Sequence, residues 1–375
     1  MVKTFIDACN IVSPLGFDTN ENFKKILEGV TGIRISDDPS FSANPLPLAV
    51  TDIDAVNVEF SKIGDPAAFT RFEKTAILSV NDALTRTSLE TEKKNTLFIL
   101  STTKGNIELL EEKYTGVFPS ERLKLHNTAT VISDFFGFES KPVVVSNACI
   151  SGVASMVIAK RLIEQGMYDN VVINGTDVVS RFIVSGFQSF LSLSSEPCKP
   201  YDGSRDGLTL GEGSATITLT NKERDIEITG GAISNDANHI SGPSRTGEGL
   251  LIAINNSVTQ DTAVDFISAH GTATRYNDDM ESIALTRAGL NKVPVNSLKG
   301  YYGHTLGAAG IIESVISVEA MRNNTLIKTF GCENPGVVEE INVVRETKKQ
   351  EIKTMLKLAS GFGGGNAAVL FEKNE

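Results

Sequence analysis

The chain is poor in the residues from which metal and redox sites are usually built. Its 375 residues include four cysteines and four histidines, and no tryptophan. The cysteines are widely scattered and none belongs to a C-x-x-C pair, so a zinc site has few ligands to draw on. Scattered, unpaired cysteines suit a reducing compartment, and we expect a cytoplasmic protein.

Long apolar segments and basic clusters are also missing. No run of about 18 apolar residues occurs, which argues against a membrane span. Near the N-terminus, Asp7 and Asn10 interrupt the stretch that a secretion signal would need to be apolar. Asp and Glu number 46 against 35 Lys and Arg, a formal net charge of -11. Nucleic acid is therefore a poor candidate partner, although a local basic patch for an acidic partner stays open.

The chain does contain an alternation of short β-branched runs and longer helical patterns. Its length, with 41% hydrophobic residues, predicts two domains or one large duplicated domain. The alternation predicts α/β layers with a parallel sheet. The segments that carry it are the strands Thr96–Leu100, Val143–Val145 and Val171–Ile173 and the helices Phe69–Leu84 and Ser151–Gln165.

The same plan occurs twice along the chain. PVVVSNACISGVASMVIAKRLI is a strand, a tight polar turn and an apolar helix, and VPVNSLKGYYGHTLGAAGIIESVISVEAM repeats it with a strand Val293–Asn296. LFILSTTKGN and DFISAHGTATRYND likewise each lead a strand into a Thr-rich loop. We expect a duplication with polar loops of both halves meeting, and a boundary before the strand Ile226–Ile228 that divides residues 1–223 from 224–375.

Cys149 is the first candidate for chemistry, since it follows a β-branched strand and directly precedes a helical pattern. A thiol at a helix N-terminus is expected to favour the thiolate, and its backbone N–H would face the carbonyl that the sulfur attacks. A lone cysteine is more often a buried structural residue, and we interpret Cys9, Cys198 and Cys332 in that way.

His270 and His304 also lie where strands end. His270 ends an apolar strand in SAHGTATRYND, and His304 lies in NSLKGYYGHTLGAAG just before a Gly/Ala-rich helix. Such positions face the crevice where open α/β sheets bind ligands, although a loop histidine with a structural role is about as common. His126 and His239 have weaker contexts.

Two charged residues accompany these histidines. Lys299 lies in the loop of His304 and is predicted to tune the site electrostatically, although most lysines are surface charges. Glu281 lies at a predicted helix start after His270, and it is expected to pair with Lys299. A solvated carboxylate in a first helical turn is the alternative.

A glycine-rich segment, SGFGGGNAAVLF, surrounds Phe362. So many glycines beside one aromatic residue predict a mobile loop or one that presents backbone donors. A phosphate-binding loop is the competing interpretation, but Asn366 stands where G-x-G-x-x-G needs its last glycine and no helical pattern follows.

Along nearly its whole length, the sequence resembles the elongating β-ketoacyl-carrier-protein synthases. SNACISG resembles their nucleophile turn, AHGTATRYNDDMES and NSLKGYYGHTLGAAGIIES their two histidine motifs, and SGFGGGNAAVLF their closing loop. The resemblance implies a thiolase-like duplicated α/β fold, layered α-β-α-β-α with two mixed sheets. It also implies a decarboxylative condensation of an acyl thioester with a malonyl thioester, in fatty acid, polyene or polyketide biosynthesis.

The resemblance also implies roles for individual residues. Cys149 would take the acyl chain, while His270 and His304 would bind the malonyl thioester oxygen and stabilise the enolate. Lys299 and Glu281 would support this pair. The backbone N–H groups of Cys149 and Phe362 would form the oxyanion hole for acyl transfer.

The implied partners are an acyl carrier protein and a second subunit, in a homodimer or in a heterodimer with a related ketosynthase. The substrates are implied to be carried on phosphopantetheine, with no metal and no redox cofactor. Three cations, Arg71, Lys74 and Arg205, lie in segments that flank the family's pocket entrance and are expected to dock the acidic carrier protein.

Three positions depart from the family pattern. The family often has Thr where this chain has Asn147, Ser or Thr where it has Ile150, and Thr where it has Gly365. The segment between Ser101 and Asn147 is also shorter than usual. The resemblance therefore does not imply the length or the identity of the acyl chain that the protein accepts.

Three other functions compete with this one. A thiolase would need a second active cysteine near the C-terminus, and GFGGGNAA has none. A papain-like hydrolase gives the paired histidine motifs no role. A chain-length-determining subunit with a mainly structural role is the most serious alternative, although such subunits lose the nucleophile.

Overall fold

The computed structural model describes residues 2–259 and 261–374 of the chain. Its helices are α1 (Thr19–Leu27), α2 (Ile53–Phe60), α3 (Arg71–Thr85), α4 (Leu125–Phe135), α5 (Ser151–Glu164), α6 (Arg181–Ser189), α7 (Glu248–Ser257), α8 (Arg275–Arg287), α9 (Lys299–Tyr302) and α10 (Ala309–Arg322). Its strands are β1 (Phe5–Val12), β2 (Arg34–Ser36), β3 (Leu46–Ala49), β4 (Thr96–Ser101), β5 (Val143–Val145), β6 (Asn170–Asp177), β7 (Leu210–Gly211), β8 (Gly213–Thr220), β9 (Ile226–Asn235), β10 (Phe266–Ser268), β11 (Val295–Asn296), β12 (Thr325–Leu326), β13 (Lys348–Lys349), β14 (Thr354–Ser360) and β15 (Gly365–Lys373).

Ten of these strands form one long sheet made of two similar halves. Its strand order is β11-β10-β14-β15-β9-β1-β8-β6-β4-β5. In the N-terminal half β4 lies parallel to β5 and β6, while β8 runs antiparallel to β6 and β1. In the C-terminal half β10 lies parallel to β11 and β14, while β15 runs antiparallel to β14 and β9. The order and the directions repeat, which confirms the predicted duplication.

The two halves meet edge to edge through β1 and β9. The pairing between these strands is the single residue pair Phe5 and Glu227. The predicted two mixed sheets are therefore present, joined at this point. The division into residues 1–223 and 224–375 remains a prediction about domains.

Two helices lie between the sheets and form the central layer. Helix α5 contacts β4 and β6 of the first half and β9 and β15 of the second, and α10 contacts β8 and β14. Most residues of α5 and nearly all of α10 are buried, as expected for helices whose apolar residues are not confined to one face. Helix α3 covers the outer face of the first sheet and α7 that of the second, which completes the predicted α-β-α-β-α layers.

Small residues let the two central helices touch near their N-termini. A Cβ on Gly152 would lie 2.8 Å from the backbone N of Ile311, and one on Gly310 would lie 2.7 Å from the backbone N of Val153. Real Cβ atoms do not approach backbone this closely, so only glycine fits at these two positions. The polar loops that precede the helices are consequently held side by side.

Most predicted elements are present, with shifts at their ends. The predicted strands Thr96–Leu100 and Val143–Val145 correspond to β4 and β5, and the strand expected from Val293 begins at Val295. Helix α8 begins at Arg275, so Glu281 lies in its second turn and not at its start. In the described part of the chain, no helix combines the length and the apolar character that crossing a membrane requires.

Candidate active site

The turn between β5 and α5 holds Cys149 at the N-terminal end of a central helix. Ala148, just before it, has a left-handed backbone with φ of 44°, which is costly for a residue with a side chain. The hydroxyl of Ser151 stabilises this turn, since it accepts from the N–H of Asn147 at 2.8 Å and donates to the carbonyl of Ala148 at 2.6 Å. A strained turn held in this way indicates a position whose geometry matters for function.

Both predicted histidines lie beside this cysteine. Nε2 of His304 is 3.0 Å from Sγ of Cys149. The rings of His270 and His304 are nearly perpendicular, with their centroids 5.2 Å apart. One side-chain atom from each of the three residues lies within 4.8 Å of the others. The structure thus brings together three residues that are up to 155 positions apart in the sequence.

The thiol of Cys149 does not behave as its helix position alone predicts. Burial raises the pKa of Cys149 to about 11, while the charge of Lys299 and a hydrogen bond from the backbone N–H of Phe362 oppose that rise. The expected preference for the thiolate is therefore not met, because burial outweighs the influences that lower the pKa. The proton must leave the thiol during reaction, and Nε2 of His304 lies at hydrogen-bond distance to accept it.

Both histidines are neutral at physiological pH. Burial, followed by the charge of Lys299, holds the pKa of His270 and of His304 well below the usual value of 6.5. Nδ1 of His304 is buried and has no hydrogen-bond partner among the described residues. The surroundings of Nδ1 therefore do not select one tautomer of this ring.

Cys149, His270 and His304 are also residue types that bind metals, and their spacing would permit it. A metal-binding histidine almost always donates its second ring N–H to a carboxylate or a carbonyl, which fixes the ring. His304 lacks such a partner among the described residues. The donor set consequently fits acid-base and nucleophilic chemistry better than a metal centre.

The structure pairs Lys299 with a different carboxylate from the one expected. Nζ of Lys299 lies 2.6 Å from Oε1 of Glu313 and 2.6 Å from the carbonyl oxygen of His270. Glu281 instead accepts from the backbone N–H groups of His270 and Gly271, both at 2.7 Å. The expected ion pair between Lys299 and Glu281 is wrong, because the oxygens of Glu281 are occupied by the backbone of the His270 loop.

Glu313 and Lys357 were not found from the sequence. Glu313 lies in α10, and Lys357 lies in the middle of β14 with its Nζ 2.6 Å from Oε2 of Glu313. Both are buried. The available signal was a charged residue inside an otherwise apolar element, in IIES and in TMLKLAS, since a buried charge needs a partner.

The glycine-rich loop lies directly against the cysteine turn. The backbone N–H of Phe362 is within hydrogen-bond reach of the Cys149 thiol. The Phe362 ring stacks on Phe187 with centroids 5.7 Å apart and meets Phe190 edge-on at 5.4 Å. The N–H groups of Cys149 and Phe362 are thus both near the sulfur, where an oxyanion would form.

Gly361 is where this loop approaches the turn most closely. A Cβ there would lie 3.1 Å from the backbone N of Cys149, so Gly361→Ala should push the loop away and slow acylation of Cys149 by about 10-fold to 100-fold, less than complete loss of one oxyanion donor. Gly186→Ala is the control, because a Cβ on Gly186 meets nothing within 4 Å and the residue lies inside helix α6, where alanine is favourable. Single-turnover acylation followed by intact-protein mass is the measurement. Equal rates for both variants would show that the close approach does not matter.

The three reactive residues line a cavity of about 450 Å³. Its wall includes the buried Thr272, while its mouth includes residues with large exposed fractions: Phe190 at 51%, Leu191 at 91% and Tyr276 at 78%. Arg275 also lines it and is exposed. Cys149 and the residues of this apolar rim thus line one cavity.

The three cations expected to dock a carrier protein are not available at the surface. Arg71 forms ion pairs with Glu108 and Glu212, and Arg205 is 3% exposed and lies 2.6 Å from Asp279. Lys74 is 7% exposed and donates to Asn57. The docking prediction is wrong for all three residues, because internal carboxylates and carbonyls already occupy them.

The three departures from the family pattern are neighbours in space. A Cβ on Gly365 would lie 3.0 Å from Cδ1 of Ile150 and 3.5 Å from Oδ1 of Asn147. The larger Ile150 therefore fills the space that a larger residue at position 365 would need. Of these three residues, Gly365 lines the cavity beside Cys149.

Two family models match the chain one after the other. "Beta-ketoacyl synthase, N-terminal domain" matches residues 5–225, and "Beta-ketoacyl synthase, C-terminal domain" matches residues 226–333. A curated relative, 3-oxoacyl-[acyl-carrier-protein] synthase 2 of Coxiella burnetii, is 29% identical over 410 residues, which covers 99% of this chain and 98% of the relative.

Solved structures agree on the fold. A β-ketoacyl synthase from Burkholderia phymatum superposes with a TM-score of 0.87 at 22% identity, covering 100% of both chains. A ketosynthase in complex with its chain length factor, from Xenorhabdus doucetiae, superposes with a TM-score of 0.86 at 22% identity, covering 99% of this chain and 98% of that one. At this level of identity the likeness shows the fold alone.

Proposed function

Because the chain belongs to the β-ketoacyl synthase family, we propose that it is an acyltransferase that condenses an acyl thioester with malonyl-acyl carrier protein, with loss of CO₂. The observation that carries the proposal is the arrangement of Cys149 and His304, with Sγ and Nε2 3.0 Å apart and His270 beside them. All three line one cavity with an open mouth.

In the first half-reaction the acyl group moves to Cys149. Nε2 of His304 accepts the thiol proton, and the sulfur attacks the carbonyl carbon of the acyl thioester. The oxygen of the resulting intermediate accepts from the N–H groups of Cys149 and Phe362. The carrier thiolate leaves and takes the proton from His304, which leaves an acyl-enzyme and a neutral imidazole.

In the second half-reaction the malonyl group loses CO₂. Negative charge develops on its thioester oxygen as the bond to the carboxylate breaks. The Nε2–H groups of His270 and His304 donate to this oxygen and stabilise that charge. The carbanion attacks the acyl carbonyl on Cys149, and the thiolate of Cys149 leaves. His304 must accept at Nε2 in one step and donate in the other, which its unpartnered Nδ1 permits.

The proposed enzyme requires no metal and no redox cofactor, because substrates arrive on phosphopantetheine and both charges that develop are stabilised by N–H donors. We place it in the cytoplasm and in a dimer, either with a second copy or with a related ketosynthase subunit. The alternative of a mainly structural, chain-length-determining subunit is disfavoured by the intact set of Cys149, His270, His304 and Lys299.

A panel of acyl-carrier thioesters of increasing length, saturated and polyunsaturated, tests the function directly. We expect intact-protein mass spectrometry to find one class of acyl group on Cys149, and addition of malonyl-carrier protein to release CO₂ and remove that adduct. No adduct from any thioester, together with no CO₂ release, would contradict a condensing enzyme and favour the structural subunit.

Carrier protein docking is proposed to use the cavity mouth. Arg275 is the exposed cation that lines the mouth, beside the apolar Leu191 and Tyr276. We expect Arg275→Glu to lower the second-order rate constant for acylation by carrier thioesters, with a weaker dependence on salt, because charge mainly affects association. Acylation by short pantetheine thioesters should be unchanged. Lys348→Glu, an exposed cation outside the cavity lining, is the control, and an equal effect of both variants would remove Arg275 from the docking surface.

A further inference from the structure

Lys357 is a buried charge that the mechanism above does not use. Its side chain is 0% exposed and lies in β14, an otherwise apolar strand. Its Nζ is surrounded by three oxygens: Oε2 of Glu313 at 2.6 Å, the carbonyl of Ala269 at 3.1 Å and the carbonyl of Ser268 at 3.3 Å. An ammonium group has three donors, and all three are used here.

Two of these oxygens belong to the end of the strand that carries His270. Lys357 pairs with Ser268 in the sheet register, and its side chain binds the carbonyls of the two residues directly before His270. Lys299 binds the next carbonyl, that of His270 itself, at 2.6 Å. Two lysines thus hold three successive carbonyls at the point where the chain turns into the site.

The same two lysines share one carboxylate. Glu313 receives Lys299 on Oε1 and Lys357 on Oε2, each at 2.6 Å. Glu281 lies on the other side of the His270 loop, bound to its backbone N–H groups. Two carboxylates therefore face two ammonium groups, and removal of Lys357 would leave an excess of negative charge beneath His270.

We propose that Lys357 is a positioning residue of the condensation site, which fixes the end of the His270 strand and balances Glu313, so that malonyl decarboxylation depends on it and acyl transfer does not. The inference rests on the proposed function. It separates the half-reactions because Lys357 contacts the His270 strand and Glu313, whereas the acyl oxyanion is held by Cys149 and Phe362.

An effect on pH dependence follows from the charges around His270. The titratable and charged groups that face it are Cys149, Lys299, His304, Glu313 and Lys357, with Glu281 and Asp278 bound to the backbone of its loop. The charge of Lys357 is one cause that keeps the pKa of His270 low. Its loss should favour an imidazolium, which would pair with the malonyl carboxylate and stabilise the ground state. The acid limb of decarboxylation should then move to higher pH.

The test uses Lys357→Met, which keeps the length of the side chain and removes its charge, with Lys348→Met as an exposed control. Single-turnover CO₂ release from malonyl-carrier protein and acylation of Cys149 are measured against pH. We expect CO₂ release to fall about 10-fold to 100-fold, less than for direct loss of an oxyanion donor, and its acid limb to shift upward. Acylation should stay within about threefold of the parent rate, because the acyl oxyanion donors are backbone groups away from Lys357.

A second variant, Lys357→Ala, leaves an oxygen-lined space that a small ammonium ion can occupy. Methylammonium chloride should restore CO₂ release, whereas choline chloride at the same ionic strength should not, because its head group is too large. A folded Lys357→Met with the parental pH profile overturns the inference. Equal loss of both half-reactions, or failure of both variants to fold, also overturns it and shows a purely structural lysine. A parent protein inactive in both assays overturns the proposed function as well, which is a distinguishable result.

Discussion

Replacing Cys149 with alanine is expected to abolish both acyl loading and condensation. The sulfur is the atom that forms the bond to the acyl group, and Cys149 is the cysteine that lines the cavity among the described residues, at hydrogen-bond distance from His304. Loss of a nucleophile typically costs far more than loss of a donor, so we expect a fall of at least about 10³-fold. The fold should persist, since the change removes one atom at a turn that Ser151 stabilises.

The measurement is intact-protein mass after incubation with an acyl-carrier thioester, followed by peptide mapping. Cys332→Ala is the matched control, because burial raises the pKa of Cys332 to about 12 and no role in the cavity is assigned to it. Full condensing activity in Cys149→Ala would refute the mechanism. Acylation found at Cys9, Cys198 or Cys332 would show that another thiol is the nucleophile.

The histidine variants are expected to separate the two half-reactions. Both His270→Ala and His304→Ala remove a donor to the malonyl thioester oxygen, and each should slow decarboxylation by about 10²–10³-fold. His304→Ala should slow acylation as well, because a thiol whose pKa burial raises to about 11 then loses the base that lies at hydrogen-bond distance from it. His270→Ala should leave acylation nearly unchanged.

Paired single-turnover assays, acyl-enzyme formation and release of labelled CO₂, distinguish these outcomes. Asparagine at either position is a useful companion variant, since it retains an N–H donor but cannot accept a proton as a base. CO₂ release at the parental rate in either alanine variant would remove that histidine from enolate stabilisation. If both histidines prove equally necessary for acylation, activation of the thiol becomes their main role, and a hydrolase-like or thiolase-like mechanism gains support.

Local sequence patterns predicted the alternation of strands and helices and its repetition, and the family resemblance predicted the layered fold; the candidate residues that they singled out, Cys149, His270 and His304, lie together in the structure. A β-branched strand, a polar turn and a small-residue helix specify the geometry around Cys149 within about twenty residues. The repetition of that plan around His304 predicted two similar halves, which the repeated strand order confirms. Each of these signals depends on neighbours in the chain, because backbone propensity and the spacing of apolar residues are local properties.

Burial and charge pairing could be decided only by the tertiary structure. Arg71, Lys74 and Arg205 look like surface cations in the sequence, yet Lys74 and Arg205 are buried and the half-buried Arg71 is held in ion pairs with Glu108 and Glu212. The partner of Lys299 is Glu313 and not the expected Glu281, and Lys357 joins the same carboxylate. The helix N-terminus was expected to favour the thiolate of Cys149, but burial raises the pKa of this thiol to about 11. These properties depend on which groups surround a charge and exclude water from it, and such groups come from segments far apart in the chain.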